Sequence, residues 1–187
     1  GMVGSNDTTA EIIEESYCRF LSAFNEHLKS YPFLMGHRPG ASDFAVAGQL
    51  TQLVQFDPTP MALSLKAGGR VFAWVSTLED LSGLEPSHAD WLQRDAIPTS
   101  LKSLLAEMGR VYTPVMLANE QAVAKKAERV DAVVDGKRWQ QRPFPYQAKC
   151  VRWLREARTQ LTTPEREALD TLLEGSGLEP IFVEMNS

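Results

Sequence analysis

The sequence is poor in the residues that cross-link or ligate. It contains two cysteines, Cys18 and Cys150, and three histidines, His27, His37 and His88. Neither cysteine belongs to a CxxC or Cys/His cluster, and no histidine has a second ligand at metal-binding spacing, so we expect no disulfide framework and no zinc site. We predict that the histidines lie on the surface and that both cysteines act as small buried hydrophobes. This cysteine usage favours a reducing, cytoplasmic setting.

Long apolar runs and clusters of basic residues are also missing. No stretch approaches the roughly 18 apolar residues that a membrane-spanning helix requires, and the polar N-terminus does not resemble an export signal. Nineteen Lys and Arg against twenty-four Asp and Glu give a net charge of -5, and the basic residues are dispersed. Membrane and nucleic-acid partners are therefore not expected.

Common catalytic motifs are absent as well. There is no GxSxG, HExxH, GxxxxGK[ST] or GxGxxG segment, which argues against the commonest hydrolase, metallopeptidase and nucleotide-binding classes. The length of 187 residues and the 43% hydrophobic content are nevertheless sufficient for a complete folded core. We predict a folded chain with no catalytic residue and no metal ligand of its own.

Apolar residues at helical spacing dominate what is present. The second predicted helix has no charge after Asp43, and we expect it to be central and enclosed on most sides. Thr8 and Glu11 are expected to cap the first helix, and Pro114 predicts a kink or break near Thr113. The helices are predicted over about 8–30, 41–56, 60–67, 71–81, 100–129, 146–161 and 163–174.

One segment changes to the alternation that is typical of strands. Val130, Ala132 and Val134 alternate with their neighbours, and Asp135-Gly136 then provides the positive-φ turn of a tight hairpin. Two strands cannot form a sheet core of their own. We therefore predict an all-α bundle with one small β-hairpin near residues 130–139.

A physical device stands at the start of the second helix. With Gly40 as the cap, Asp43 is the third helical residue, and its carboxylate can accept a hydrogen bond from the Gly40 N–H. A buried helix start needs this satisfaction, because its first backbone N–H groups have no partner within the helix. We predict a structural capping box at Gly40 and Asp43.

The stretch from Leu34 to Asp43 resembles the segment that opens the buried helix in the C-terminal helical domain of glutathione S-transferases. That family has leucine, glycine, proline and a hydroxyl cap ahead of alanine and aspartate. Here Gly40 replaces the hydroxyl and Ser42 replaces alanine. The resemblance spans about Thr8 to Leu81, and it implies an all-α bundle of the glutathione S-transferase C-terminal type.

Three regions follow from this resemblance. Residues 1–7 are expected to be a flexible N-terminus, 8–90 the transferase-like helical core, and 91–187 a helical extension that contains the hairpin. Two motifs in the extension, 109–112 and 143–150, look like the C-terminal part of some bacterial glutathione S-transferase-like proteins. We know of no defined chemistry for them.

The function that the resemblance implies is that of the apolar acceptor-substrate wall of a glutathione-dependent transferase. In that family the glutathione site and the thiol-activating residue lie mainly in a thioredoxin-like domain, so we expect this chain to be inactive alone. Glu15-Ser16 mimics the family's glutathione-binding pair in letters, but it lies within a helical stripe and we reject it. Substrate-pocket candidates are Tyr17, Tyr112 and Trp139, which combine an apolar body with a polar tip.

Other interpretations remain open. The chain could be a non-catalytic protein-interaction module, or a helical small-molecule sensor that uses the same three aromatic residues. The expected partner is a thioredoxin-like domain or a second copy of the chain. Whether the chain is a fragment of a longer protein or complete is left open by the residues themselves.

Overall fold

A computed structural model describes residues 5–183 of the chain. Within this range the protein is mainly helical, with one two-stranded antiparallel sheet, so the predicted all-α bundle with a small hairpin is confirmed at that level. The helices are α1 (Ala10–His27), α2 (Ala41–Leu50), α3 (Pro58–Ala67), α4 (Arg70–Glu79), α5 (Thr99–Ala124), α6 (Pro145–Thr159) and α7 (Thr163–Leu173); a π-helical segment, Thr51–Phe56, continues α2.

The predicted hairpin is present. Its strands are β1 (Val130–Val134) and β2 (Lys137–Gln141), and their register pairs Val134 with Lys137. Asp135 and Gly136 both have positive φ, as a two-residue turn of this kind requires. The local turn chemistry alone was therefore sufficient to locate this element.

The chain forms two compact units. The first, which we call the helical unit, is Tyr17–Leu104; the second, the hairpin unit, joins residues up to Ser16 with Leu105–Ser187. The first turns of α1 therefore belong with the C-terminal half of the chain. Of the predicted flexible N-terminus, residues 1–4 lie outside the described residues, whereas the Asn6 side chain donates a hydrogen bond to the Gln140 carbonyl at 2.8 Å.

The helical unit has one apolar core. The Phe24 and Trp74 rings meet edge to face with centroids 4.8 Å apart, and the Trp74 indole N–H donates to the Pro32 carbonyl at 2.8 Å. The cluster's buried members are Leu21, Phe24, Leu34, Leu50, Val54, Val71, Trp74, Val75 and Leu104. Apart from Leu34, which lies in the loop before α2, its residues come from α1, α2, the π-helical segment, α4 and α5, so the helical spacing in the sequence is used as expected.

The hairpin unit has two smaller apolar clusters. One contains Met116, Val151, Leu173, Leu178 and Ile181. The other joins Ile12 of α1 to Val115, Val134 and Trp139. The predicted stripe on α1 began at Ile13, which is instead partly exposed, and its neighbour Ile12 is fully buried. The stripe is therefore off by one position where α1 enters the hairpin unit.

Two helix details differ from prediction. Helix α1 begins at Ala10 rather than at Thr8, and in the turn before it the Asn6 side-chain oxygen accepts from the Thr8 N–H at 2.9 Å. Helix α5 continues through Pro114 without the predicted break. The Thr113 hydroxyl beside it is buried and makes no hydrogen bond. Packing of Val115 and Met116 in the two clusters offsets the backbone bond that proline removes.

Candidate functional site

The start of α2 is held by a buried carboxylate. Asp43 is fully buried, and its two oxygens accept hydrogen bonds from the Gly40 N–H at 2.9 Å and the Leu34 N–H at 2.8 Å. The predicted capping box is confirmed. The second bond, to Leu34, was not predicted from the sequence, and it ties the preceding loop to the same carboxylate.

A tryptophan packs closely against Gly40. A Cβ at Gly40 would lie 3.1 Å from the Trp91 ring, so a larger residue would require a small shift of the indole. The Arg38 guanidinium lies over this ring, 4.5 Å from its centroid, and the Leu92 N–H donates to the Met35 carbonyl at 2.7 Å. The start of α2 is therefore in close contact with the segment around Trp91.

The prediction that α2 is enclosed on most sides is wrong. One face of the helix is exposed over its whole length, and the Phe44 side chain is 53% exposed. A Cβ at Gly48 would meet open space. The absence of charge was read as burial, but only Asp43 and Leu50 within α2 are buried. We define the α2 face as the exposed residues Ala41, Phe44, Ala45, Gly48, Gln49 and Gln52.

The α2 face carries no charged side chain, and three of its six residues are alanine or glycine. Ala41, Ala45 and Gly48 leave the helix backbone accessible, while Phe44 projects from it. Just beyond its end, Phe56 is also exposed. A helix face without charge and with little side-chain bulk permits the close approach of another packed element. This surface is the first candidate functional feature.

The three substrate-pocket candidates lie in different places. Tyr17 packs against the core of the helical unit and its hydroxyl donates to the Pro60 carbonyl at 3.4 Å. In the hairpin unit, Tyr112 packs against one cluster and Trp139 is buried in the other; the Trp139 N–H donates to the Gln141 side chain at 3.0 Å. The structure therefore does not bring Tyr112 and Trp139 into one cluster.

Neither tyrosine is set up as a base. Burial, together with the nearby Cys18 and Asp57, raises the pKa of Tyr17 to about 12. Burial, with a contribution from Cys150, also raises the pKa of Tyr112. Both phenols stay protonated at neutral pH, so they can donate hydrogen bonds but cannot remove a proton from a thiol.

Two predictions about single residues are wrong. His27 is fully buried rather than on the surface: its Nε2 lies 3.1 Å from the Phe33 carbonyl oxygen and its Nδ1 2.9 Å from the Ser100 hydroxyl. Because a carbonyl only accepts, Nε2 carries the proton and Nδ1 accepts from Ser100. Cys18, predicted in the core, is exposed on α1. His27 and Ser100 thus form a buried hydrogen-bonded pair, and the Cys18 thiol is accessible to solvent.

Glu15 and Ser16, the pair that mimics the family's glutathione-binding residues, both make hydrogen bonds within the chain. Glu15 accepts from the Lys137 ammonium at 2.8 Å, and Ser16 donates to Glu107 at 2.9 Å. Both residues lie inside α1 and their polar groups bind the hairpin unit's own side chains. The residues present therefore do not fit a glutathione cradle, in agreement with the rejection of this pair.

A groove of about 700 Å³ runs along α6. Its base is a salt bridge in which the Arg155 guanidinium donates to both oxygens of Glu120, at 2.6 and 2.9 Å, and both side chains are largely buried. The groove is lined by Glu120, Val123, Ala124, Pro145, Ala148, Lys149, Arg152, Arg155, Glu156 and Thr159. It mixes apolar and charged groups, and none of the three pocket candidates lines it.

A group of exposed aromatic rings adjoins Lys149, one of the residues that line this groove. The Tyr146 and Trp153 rings meet edge to face with centroids 6.0 Å apart, and Phe144 lies 6.2 Å from Tyr146. The Lys149 ammonium sits 4.6 Å from the centre of the Trp153 ring. We call these four exposed residues the α6 surface. The helical spacing of Tyr146 and Trp153 predicts that both belong to a buried stripe of α6. They are exposed instead, because helical spacing alone does not tell which side of a helix another element covers.

The linker ahead of α6 is fixed by a buried amide. The Asn119 side chain, fully buried on α5, donates to the Phe144 carbonyl at 2.9 Å and accepts from the Phe144 N–H at 2.7 Å. This two-point contact positions the first ring of the α6 surface. It also accounts for Asn119 as a polar interruption of an apolar stripe.

No three His, Cys, Asp or Glu side chains within residues 5–183 lie close enough together to hold a metal ion. None of the helices there combines the length and apolar character that crossing a bilayer demands. Comparisons with protein-family models, with curated proteins and with solved structures found no match to this chain.

Proposed function

We propose that this chain is the acceptor-side helical domain of a glutathione-dependent transferase and that a thioredoxin-like domain packs on its α2 face. The observation that carries the proposal is the exposed, uncharged α2 face itself, which begins at the capping box of Gly40 and Asp43. The resemblance to the glutathione S-transferase C-terminal type covers this helix, which is buried in that family; here the proposed partner domain would provide the cover that the described residues do not. The partner domain would lie in the same polypeptide or in another.

The division of labour follows from the chemistry. In the transferase reaction the glutathione thiol loses its proton, its sulfur forms a bond to the electrophile, and the leaving group departs with the electron pair. Tyr17 offers no base for this thiol, since its pKa is raised to about 12. The chain would therefore supply apolar acceptor contacts, and the partner domain would bind and activate glutathione in the cytoplasm.

Within the helical unit, Tyr17 is the pocket candidate that this proposal favours. It lies in the same unit as the α2 face, and its protonated hydroxyl remains a hydrogen-bond donor over the physiological pH range. Tyr112 and Trp139 belong to the hairpin unit. They remain candidates only for a separate apolar site.

The test uses glutathione and 1-chloro-2,4-dinitrobenzene as probes. The chain alone should give no more than the uncatalysed rate. The thioredoxin-like domain encoded in the same reading frame or operon should co-elute with the chain on size-exclusion chromatography and restore conjugation. Gly48→Arg, which places a charge on the α2 face at a position with open space, should abolish both co-elution and rate.

Several outcomes would contradict the proposal. They are a strong rate from the chain alone, no thioredoxin-like domain encoded beside it, or a complex that Gly48→Arg leaves intact. A dimer of the chain that dissociates in Gly48→Arg would instead show that a second copy covers the α2 face. Thermal melting must show that the variant is folded, and Gly48→Ala serves as the uncharged control.

A second candidate function, a non-catalytic interaction module, is favoured by the α6 surface. Three contacting aromatic rings with an ammonium group, all exposed, have the composition of a protein-binding site. Under this alternative no thioredoxin-like domain is needed. Failure of the conjugation test together with binding at α6 would support it.

A further inference from the structure

The α6 surface has no role in the proposed transferase, yet it is the densest group of exposed rings in the described residues. Tyr146 is 55% and Trp153 43% exposed, and both rings are held in place by contacts with each other and with Phe144. We propose that the α6 surface and its groove bind an acidic amphipathic helix of a partner protein. This inference stands on observations independent of the transferase proposal.

The ring cluster points to a macromolecular partner. Tryptophan and tyrosine are enriched among the residues that dominate binding energy, because they bury a large rigid surface at little entropic cost. Here the rings are preorganised: Trp153 is fixed from one side by Tyr146 and from another by the Lys149 side chain. A partner would therefore cover them without first ordering them.

The charges around the rings select an acidic partner. Arg155 is neutralised by Glu120, and Arg152 pairs with Glu156 at 3.3 Å. Within the described part of the chain, Lys149 contacts the Trp153 ring and no carboxylate. This face thus presents an unpaired cation on a chain whose net charge is -5. A carboxylate of the partner would complete the site beside an apolar ring.

The shape of the groove favours a helix as the occupant. The α6 residues that line it recur at helical spacing from Pro145 to Thr159, over the whole 15-residue helix, or about 22 Å. On the opposite wall, α5 contributes Glu120, Val123 and Ala124. Val123, Ala124, Pro145 and Ala148 would meet the apolar side of a second helix laid along α6, and the charged lining residues would meet its polar side.

Nucleic acid and membranes fit less well. A nucleic-acid site neutralises several phosphates, whereas the described residues of this groove include a single cation without a carboxylate partner, Lys149. A helix that lies on an anionic bilayer needs a strongly basic polar face. One unpaired ammonium group does not provide such a face.

The experiment selects ligands without assuming a sequence. A displayed library of random 14-residue peptides is enriched on the full chain and depleted on the Lys149→Glu, Trp153→Ala double variant. We expect the enriched peptides to combine Asp or Glu with Leu, Phe or Trp at three- and four-residue spacing. For a synthetic winner, Trp153→Ala should weaken binding by at least about tenfold and Lys149→Glu by about fivefold or more, with the latter loss smaller at high salt.

Matched controls separate binding from folding. Val133→Ala, at an exposed apolar position of β1, should bind like the wild-type chain, and all variants should melt alike. A winner with its acidic residues changed to lysine should bind Lys149→Glu better than the wild-type chain. The proposal is overturned by enriched peptides that bind the double variant equally, by non-acidic winners, by no enrichment, or by tighter Trp153-dependent binding to a single-stranded 20-mer or to phosphatidylserine vesicles.

Discussion

The α2 face and the α6 surface are both uncovered helix sides, but they differ in chemistry. On α2 the exposed residues are small or amide-bearing, with Phe44 as the one large ring. The α6 surface consists of three aromatic rings and one ammonium group. An uncharged face with small side chains suits a permanent interface with another domain. A surface of aromatic rings with a charged group suits a transient interface with a partner protein.

The difference shows why exposure by itself does not describe a binding site. The chain leaves apolar groups in solvent in both places, yet only at α6 do neighbouring side chains hold the exposed rings in fixed positions. At α2 the accessible surface is largely the helix itself, with open space around Gly48. The following predictions test whether this contrast is real.

The largest effect is expected at the start of the α2 face. Asp43→Ala removes both carboxylate acceptors and leaves the buried N–H groups of Leu34 and Gly40 unpaired, which should cost about 2–5 kcal/mol of unfolding free energy. Urea unfolding followed by circular dichroism measures the loss.

Asp90→Ala is the matched control for that variant. Asp90 also caps a turn, accepting from the Ser87 N–H at 2.6 Å, but it is only partly buried, so its loss should be much smaller. Equal losses for the two variants would mean that the Asp43 carboxylate is not buried and that α2 is anchored in some other way.

A pair of helical glycines gives the next largest contrast. On α5, a Cβ at Gly109 would overlap the Ser176 carbonyl oxygen, whereas at Gly48 on α2 it would meet open space. Gly109→Ala should therefore destabilise the chain by about 1–3 kcal/mol or more, and Gly48→Ala should stabilise it by up to about 1 kcal/mol. Chemical unfolding of both variants checks this; a destabilising Gly48→Ala would show that α2 is covered.

A smaller, pH-dependent effect is expected at Tyr17. Burial raises its pKa to about 12, so between about pH 10 and 12 the unfolded chain loses this proton while the folded chain retains it. The associated stability is complete below pH 10 and is lost as the pH rises toward 12. Urea midpoints at pH 9 and 11 should fall more in the wild-type chain than in Tyr17→Phe, and parallel falls would refute the assignment.

The smallest effects should come from the exposed rings themselves. Phe44→Ala and Trp153→Ala remove side chains that are 53% and 43% exposed, and each should change the unfolding free energy by about 0.5 kcal/mol or less. Thermal melting of both variants is the measurement. A loss several times larger at either position would place that ring in the core and remove the corresponding proposal.

Local rules predicted much of the fold. The Asp135-Gly136 turn located the hairpin, and the capping geometry of Gly40 and Asp43 was foreseen in detail. Helical spacing placed each helix to within a few residues, except at the C-terminal end of α5. These features depend on neighbours close in the chain, whose geometry the residue types restrict directly.

The errors share one cause. Periodicity groups residues on one side of a helix, but it does not say which side another element covers. His27 was placed on a polar face and is buried because Ser100 and Phe33 satisfy its nitrogens. The lack of charge on α2 predicts an enclosed helix, but no described element covers its outer face. Both the burial of a polar ring and the exposure of an apolar helix need partners far along the chain.

The residues alone thus determined the helical class, the hairpin, the capped start of α2 and the lack of familiar catalytic motifs. Only the tertiary structure decided that the Trp91 ring packs closely against position 40, that Asn119 fixes the approach to α6, and that the α2 face and the α6 surface remain exposed. The physical reason is the sequence separation over which each interaction acts. Backbone geometry and capping depend on residues within one helical turn, whereas burial depends on contacts with segments far along the chain that exclude water.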